Sequence, residues 1–113
     1  MSRITTLAQE QLAAYNASDL DAFVGCYHPD VRVLHGEEEA IRGREAFRQR
    51  YRDLFEKWSF GATVPNRMGY GVHCIDLEDW WRIDPKTDEK QAGRILVRYT
   101  ERDGLIGIVQ FLS

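Results

Sequence analysis

Apolar residues first recur at helical spacing. Ile4, Leu7, Ala8, Leu12 and Tyr15 share one face of a helix predicted from about Ser2 to Ala17, and Gln11 is the only polar residue in that stripe. Asn16 and Ser18 mark its end. Ser18 or Asp19 then caps a short second helix, through about Tyr27, that buries Leu20, Phe23 and Val24. His28-Pro29-Asp30 reads as a turn. Val31 to His35 reads as a short strand, with Val31, Val33 and His35 on one face and Arg32 and Leu34 on the other. Gly36 and the acidic run Glu37–Glu39 read as a loop. Gly43 precedes a third helix, from about Arg44 to Lys57, whose apolar face is Phe47, Tyr51, Leu54, Phe55 and Trp58.

After Ser59 the period changes to two. Phe60, Ala62 and Val64 alternate until Pro65 interrupts, which points to an edge or a bulge. Met68 leads into Gly69-Tyr70-Gly71, read as a hairpin turn. Val72 to Ile83 reads as a long strand, Asp84 to Gly93 as a polar loop. Arg94–Arg102 and Leu105–Leu112 read as two strands joined by Asp103-Gly104, a strong hairpin signal. The last strand is apolar on both faces: Leu105, Val109 and Phe111 on one, Ile106, Ile108 and Leu112 on the other. Both faces must then be covered. The chain's own helices cover one, and a second copy is the economical cover for the other, so the expectation is a homodimer through the β-sheet.

Composition narrows the class. The 113 residues are 43% hydrophobic, which suits one globular domain over residues 1–113 and excludes disorder. The fold class expected is α+β, with three N-terminal helices packed on a curved, mainly antiparallel β-sheet to enclose a pocket. Net charge is −3. Nucleic-acid backbones require a concentrated basic face. Arg42, Arg44, Arg48, Arg50 and Arg52 do cluster, but Glu45, Asp53 and Glu56 are interleaved, as on a solvated helix face. No nucleic-acid partner is expected. No apolar run is long enough to span a membrane and no signal-peptide core is present, so a cytoplasmic protein is expected. Its two cysteines, Cys26 and Cys74, are expected to be free thiols. Neither sits in a metal-type spacing. His28, His35, His73 and Glu37–Glu39 also lack one, so no metal or other cofactor is expected.

The stretch Ala14-Tyr15-Asn16-Ala17-Ser18-Asp19-Leu20-Asp21-Ala22-Phe23, followed by Tyr27-His28-Pro29-Asp30-Val31, resembles the opening of the nuclear transport factor 2-like superfamily, which includes the SnoaL-like proteins and ketosteroid isomerase. Ile41-Arg42-Gly43-Arg44-Glu45-Ala46-Phe47 is similar to that group's usual approach to the third helix. The resemblance covers nearly the whole chain and implies a cone-shaped fold around a pocket. The group contains isomerases, dehydratases, cyclases, epoxide hydrolases and non-catalytic modules, so fold does not decide activity. Ketosteroid isomerase works with an aspartate base and an oxyanion hole of a tyrosine and a protonated aspartate. Carried across, the tyrosine position falls on Gln11 and the base position on His35. The second aspartate falls near Leu96 and Val97, where no acid stands. Tyr15, one turn past Gln11, offers a phenol on the same face.

His35 is the first candidate for chemistry. It shares a strand face with Val31 and Val33, and imidazole titrates near neutrality. Asp76 and Glu78 are the second. On the strand from Val72, Cys74, Asp76, Glu78 and Trp80 share one face, while His73, Ile75, Leu77, Asp79 and Trp81 share the other. The pattern does not decide which face meets the pocket. If the first does, Asp76 orients and charge-stabilises His35, a pairing that resembles those of dehydratases in this superfamily. Otherwise both acids pair with Arg94 or Arg98, or meet the dimer face. Tyr15, Tyr51, Phe55, Trp58 and Trp80 would line a pocket for a small hydrophobic or cyclic molecule, with Gln11, Cys74 and Glu78 beside them. Two functions remain open. One is a cofactor-independent isomerase or dehydratase with His35 and Asp76 catalytic and Gln11 and Tyr15 donating to a ligand oxygen. The other is a non-catalytic ligand-binding or dimerisation module.

Overall fold

A computed structural model describes residues 2–113. Ser2 starts the first helix, α1 (Arg3–Asn16), by accepting a hydrogen bond from the Thr5 N–H. Asp19 caps α2 (Leu20–Gly25) in the same way through the Ala22 N–H. The third helix, α3 (Arg44–Lys57), begins after Gly43, whose φ of 91° is easy only for glycine. The strands are β1 (Tyr27–His35), β2 (Glu38–Arg42), β3 (Ser59–Tyr70), β4 (His73–Ile83), β5 (Lys90–Arg102) and β6 (Leu105–Leu112). They form one sheet in the order β2-β1-β6-β5-β4-β3, antiparallel except for the parallel β1–β6 pair. This is the α+β architecture expected.

All three helices lie against the same face of the sheet. α1 contacts β3, β4, β5 and β6, and α3 contacts β1, β2 and β3. Ile4, Leu7 and Ala8 of α1 and Phe47 of α3 are buried there against Val31, Val33, Val97, Ile106 and Val109. Ridges of aliphatic side chains on the helices and inward-facing alternate residues of the strands supply that core.

Several boundaries differ from the sequence expectation, each for a local reason. His28-Pro29-Asp30 lies inside β1 and is not a turn. The ladder to β6 is interrupted between Tyr27 and Arg32, so Pro29 has no bond to supply, and the Asp30 N–H donates to His28 Nδ1 at 3.0 Å. Tyr27 accordingly belongs to the strand and not to α2. The acidic run is partly β2, paired with β1 and held by Glu39, which accepts from Arg32 and Arg42. β5 starts at Lys90, inside the expected loop, because β4 offers partners as far as Ile83. The β3–β4 turn falls at Gly71 and Val72. The irregularity at Pro65 is the expected bulge, between Thr63 and Asn66. Asp103 and Gly104, with φ of 52° and 81°, make the expected hairpin.

β6 departs from strict alternation. Its register to β5 slips between Ile106 and Ile108, so the buried Gly107 is a bulge residue and the faces exchange there. Ile106, which alternation groups with Ile108 and Leu112, is therefore fully buried on the inner face, as Val109 is. Ile108 and Leu112 stay on the outer face.

Candidate functional site

Helices and sheet diverge toward one end and leave a cavity of about 470 Å³ between them. Its floor is made of buried residues: Gln11 from α1, Phe47 from α3, Tyr27 from β1 and Tyr99 from β5. Tyr15, Tyr51, Trp58, Trp80 and Glu78 form the walls. Exposed His35, Gln49, Arg50, Asp53 and Arg82 mark the rim.

The polar floor is organised by Gln11. Its Nε2 donates to the Ala8 carbonyl at 3.0 Å and to the Tyr99 hydroxyl at 3.1 Å, and its Oε1 accepts from the Tyr27 hydroxyl at 2.9 Å. A carbonyl only accepts, so the Ala8 contact fixes which way the amide points. The Tyr27 proton is spent on Gln11. The Tyr99 oxygen accepts from Gln11 and keeps its own proton available to the cavity. Burial pushes both phenols well above the ordinary tyrosine range. They stay protonated donors at any working pH.

Tyr15 is set in the wall by ring contacts with Phe60 at 4.6 Å and with Phe23 and Phe55 at 5.7 Å. Burial, then the charges on Tyr51 and Glu78, raise its hydroxyl. Burial, with Glu78 second, pushes the Tyr51 hydroxyl up to about 12. Glu78 stands in the same wall. Burial first, then repulsion from Asp76, lift its carboxyl to about 7. A carboxyl at that value exchanges protons near neutral pH.

The inward face of β4 is thus the one carrying Cys74, Asp76, Glu78 and Trp80, but only Glu78 and Trp80 reach the cavity. Asp76 is fully buried away from it, paired with Arg67 at 2.7 and 2.9 Å, and Cys74 Sγ approaches it at 3.5 Å. Burial and Asp76 hold the Cys74 thiol up at about 12, so it is inert. The expected His35–Asp76 pair is therefore not formed. His35 sits at the rim, exposed, stacked on Phe111 at 5.2 Å. Arg94 and Arg98 do not take these acids either; Arg94 pairs with Asp79 on the outer face and Arg98 donates to Gln110. Phe55 lies behind Tyr15 and Phe23 instead of lining the cavity. Among the described residues no three His, Cys, Asp or Glu side chains gather as a metal site.

Sequence reasoning missed Tyr27 and Tyr99 on the floor and Arg50 and Arg82 on the rim. Arg82 continues the Glu78–Trp80 spacing and Tyr99 continues that of Ile95 and Val97, so period-two counting would have reached both once the inward face was known.

The match that decides the family covers most of the chain: residues 8–107 fit the model of the SnoaL-like domain. The chain belongs to the SnoaL-like domain family. Solved structures share its fold. The Δ5-3-ketosteroid isomerase from Mycobacterium sp. is 15% identical, with a TM-score of 0.89 over 100% of this chain and 94% of that one. A Mycobacterium tuberculosis protein in complex with estradiol-17β-hemisuccinate is 14% identical, with a TM-score of 0.90 over 100% and 95%. A putative polyketide cyclase from Xanthomonas campestris pv. campestris is 20% identical, with a TM-score of 0.83 over 96% and 88%. No curated protein matched the sequence.

Proposed function

We propose that the cavity binds a small, flat, largely apolar cyclic molecule and moves a proton on it, as a cofactor-independent isomerase or dehydratase. The observation that carries this reading is Glu78, a carboxyl that exchanges protons near neutrality, set in the wall of an aromatic cavity whose phenols are Tyr15, Tyr51 and Tyr99. A ligand oxygen directed at the floor would accept from Tyr99 and from Tyr15, which stabilises negative charge developing there. Glu78 would take or return the proton from a neighbouring carbon. His35 is the second proton-carrying group, for a ligand long enough to reach the rim. The likeness to a steroid isomerase and to a protein that holds an estradiol derivative supports the choice of ring system.

A non-catalytic binding module is the second reading, favoured by one observation: Gln11 already satisfies Ala8, Tyr27 and Tyr99 without a ligand. Both readings share a pocket, a homodimer through the sheet and a cytoplasmic setting with reduced Cys26 and Cys74. Solvent-deuterium exchange at the α-carbon of a bound cyclic ketone, followed by NMR, separates them. Exchange that is lost in Glu78→Gln with binding retained supports the enzyme. Binding without exchange selects the module, and a protein that binds no such ketone sinks both.

A further inference from the structure

The rim of the cavity carries two arginines against one acid, Asp53. Arg50 and Arg82 both line it and both are exposed. Asp53, the acid beside them on the rim, lies 3.7 Å from Lys57, one turn along α3. Neither arginine forms an ion pair among the described residues, although the chain as a whole carries a net charge of −3.

Arg82 is also held in place. Its Nε donates to Gln91 Oε1 at 2.8 Å, and its guanidinium carbon lies 5.2 Å from the Trp80 ring and 5.5 Å from the Trp58 ring. A guanidinium fixed between two indoles has given up its freedom before any ligand arrives, and its terminal N–H groups remain to be used. Both cations act on the cavity and not only on bulk water: Arg82 draws the Tyr15 phenol down and Arg50 the Tyr51 phenol, against the larger effect of burial.

We propose that the ligand is an amphipathic carboxylic acid, with its apolar rings against the aromatic walls and its carboxylate at the rim between Arg50 and Arg82. This inference rests on the ligand-binding reading above and adds the charged end of the molecule. Planar, bidentate recognition of a carboxylate is what a pre-positioned guanidinium does best.

Titration calorimetry with two probes tests it: estradiol, which is uncharged, and estradiol-17β-hemisuccinate, which ends in a carboxylate. The hemisuccinate is expected to bind about tenfold more tightly, an advantage that shrinks at high salt. Arg50→Gln and Arg82→Gln should each lower the ratio of hemisuccinate to estradiol affinity, both measured in the same variant, by several-fold, and the double variant should bring the two probes to equal affinity. Arg50 lies on an exposed helix face, so its variant keeps the test sound even where Arg82→Gln disturbs Trp58 and Trp80. Equal affinity for the two probes overturns the carboxylate assignment and leaves the ring-binding cavity standing. An advantage that persists in the double variant overturns it as well. Failure of both probes to bind overturns the cavity reading together with this one.

Discussion

Both carboxylate oxygens of Asp76 accept from Arg67, Oδ1 from Nε at 2.7 Å and Oδ2 from Nη2 at 2.9 Å. The two partners are not equally buried: the Asp76 side chain is 1% exposed and that of Arg67 21%. Arg67 also donates to Gln9 on α1 at 2.9 Å, so the pair ties β3 and β4 to the first helix. Removing either partner should therefore have unequal consequences. Arg67→Ala leaves a carboxylate stranded in the core and should cost about 3–5 kcal/mol. Asp76→Asn leaves an arginine that can turn to water and should cost about 1–2 kcal/mol. Urea denaturation of the two variants measures the difference; equal losses would remove the distinction between a stranded acid and a solvated base.

Glu78 makes stability depend on pH in the direction opposite to most carboxyls. Its folded value, about 7, lies above the ordinary 4.5. The folded protein therefore holds this proton more tightly than the unfolded chain. Below about pH 4.5 both states are protonated and the group is neutral to stability. As pH rises from there toward 7 the unfolded state ionises first, and stability falls across that window, then levels off. Glu78→Gln should remove the effect. The variant should match the parent near pH 4.5 and exceed it at pH 8 by on the order of 2 kcal/mol. Thermal denaturation at both pH values checks this, and a variant no more stable at pH 8 would place the carboxyl in water.

The difference between Asp76 and Glu78 explains how much of the site was readable. Alternation put both acids on one strand face with Cys74 and Trp80, and that face is the inward one. Alternation says nothing of depth along the strand. Asp76 lies under α1, within reach of Arg67, and Glu78 lies two residues nearer the open end. Partner choice is set by the register Arg67↔Asp76, which depends on the bulge after Thr63. The same limit applies to Ile106, which a bulge at Gly107 moves to the other face. The helices and their buried faces were legible because Ile4, Leu7 and Phe47 repeat at helical spacing over several turns. β2 was not, because Glu38 and Glu39 are strand residues only through their pairing with β1. Alternation puts His35 on the inward face with Val33, which also lines the cavity, but as the last residue of its strand His35 emerges exposed at the rim.

Trp80 lies across from Gly93, and the pairing depends on the missing side chain. A Cβ at Gly93 would stand 2.8 Å from Trp80 Cζ2. Gly93→Ala should push the indole off the cavity wall, at a cost of about 1–3 kcal/mol, and loosen the Arg82 contact with it. Near-ultraviolet circular dichroism should change and estradiol binding should weaken. Gly61 is the control: it faces Trp81, on the outer side of the sheet, at 3.0 Å. Gly61→Ala should leave ligand binding alone. Equal effects of the two substitutions on binding would deny Trp80 its place in the wall.

Leu77, Leu96 and Leu112 are direct neighbours across β4, β5 and β6, on the face that no helix covers. Leu96 is 41% exposed and Leu112 38%. Single exposed leucines are ordinary, but a ladder of three on adjacent strands is a contiguous apolar surface. A second copy meeting it face to face would bury the two leucine ladders against each other, each using the same patch, as isologous packing does. The expected outcome is a dimer in light scattering at micromolar concentration, with a melting temperature that rises with protein concentration. Leu96→Glu puts a charge in the middle of the ladder and should yield a folded monomer that melts lower and without that concentration dependence. A parent protein that scatters as a monomer would leave the outer face uncovered and overturn the homodimer; a Leu96→Glu variant that stays dimeric would move the interface elsewhere on the surface.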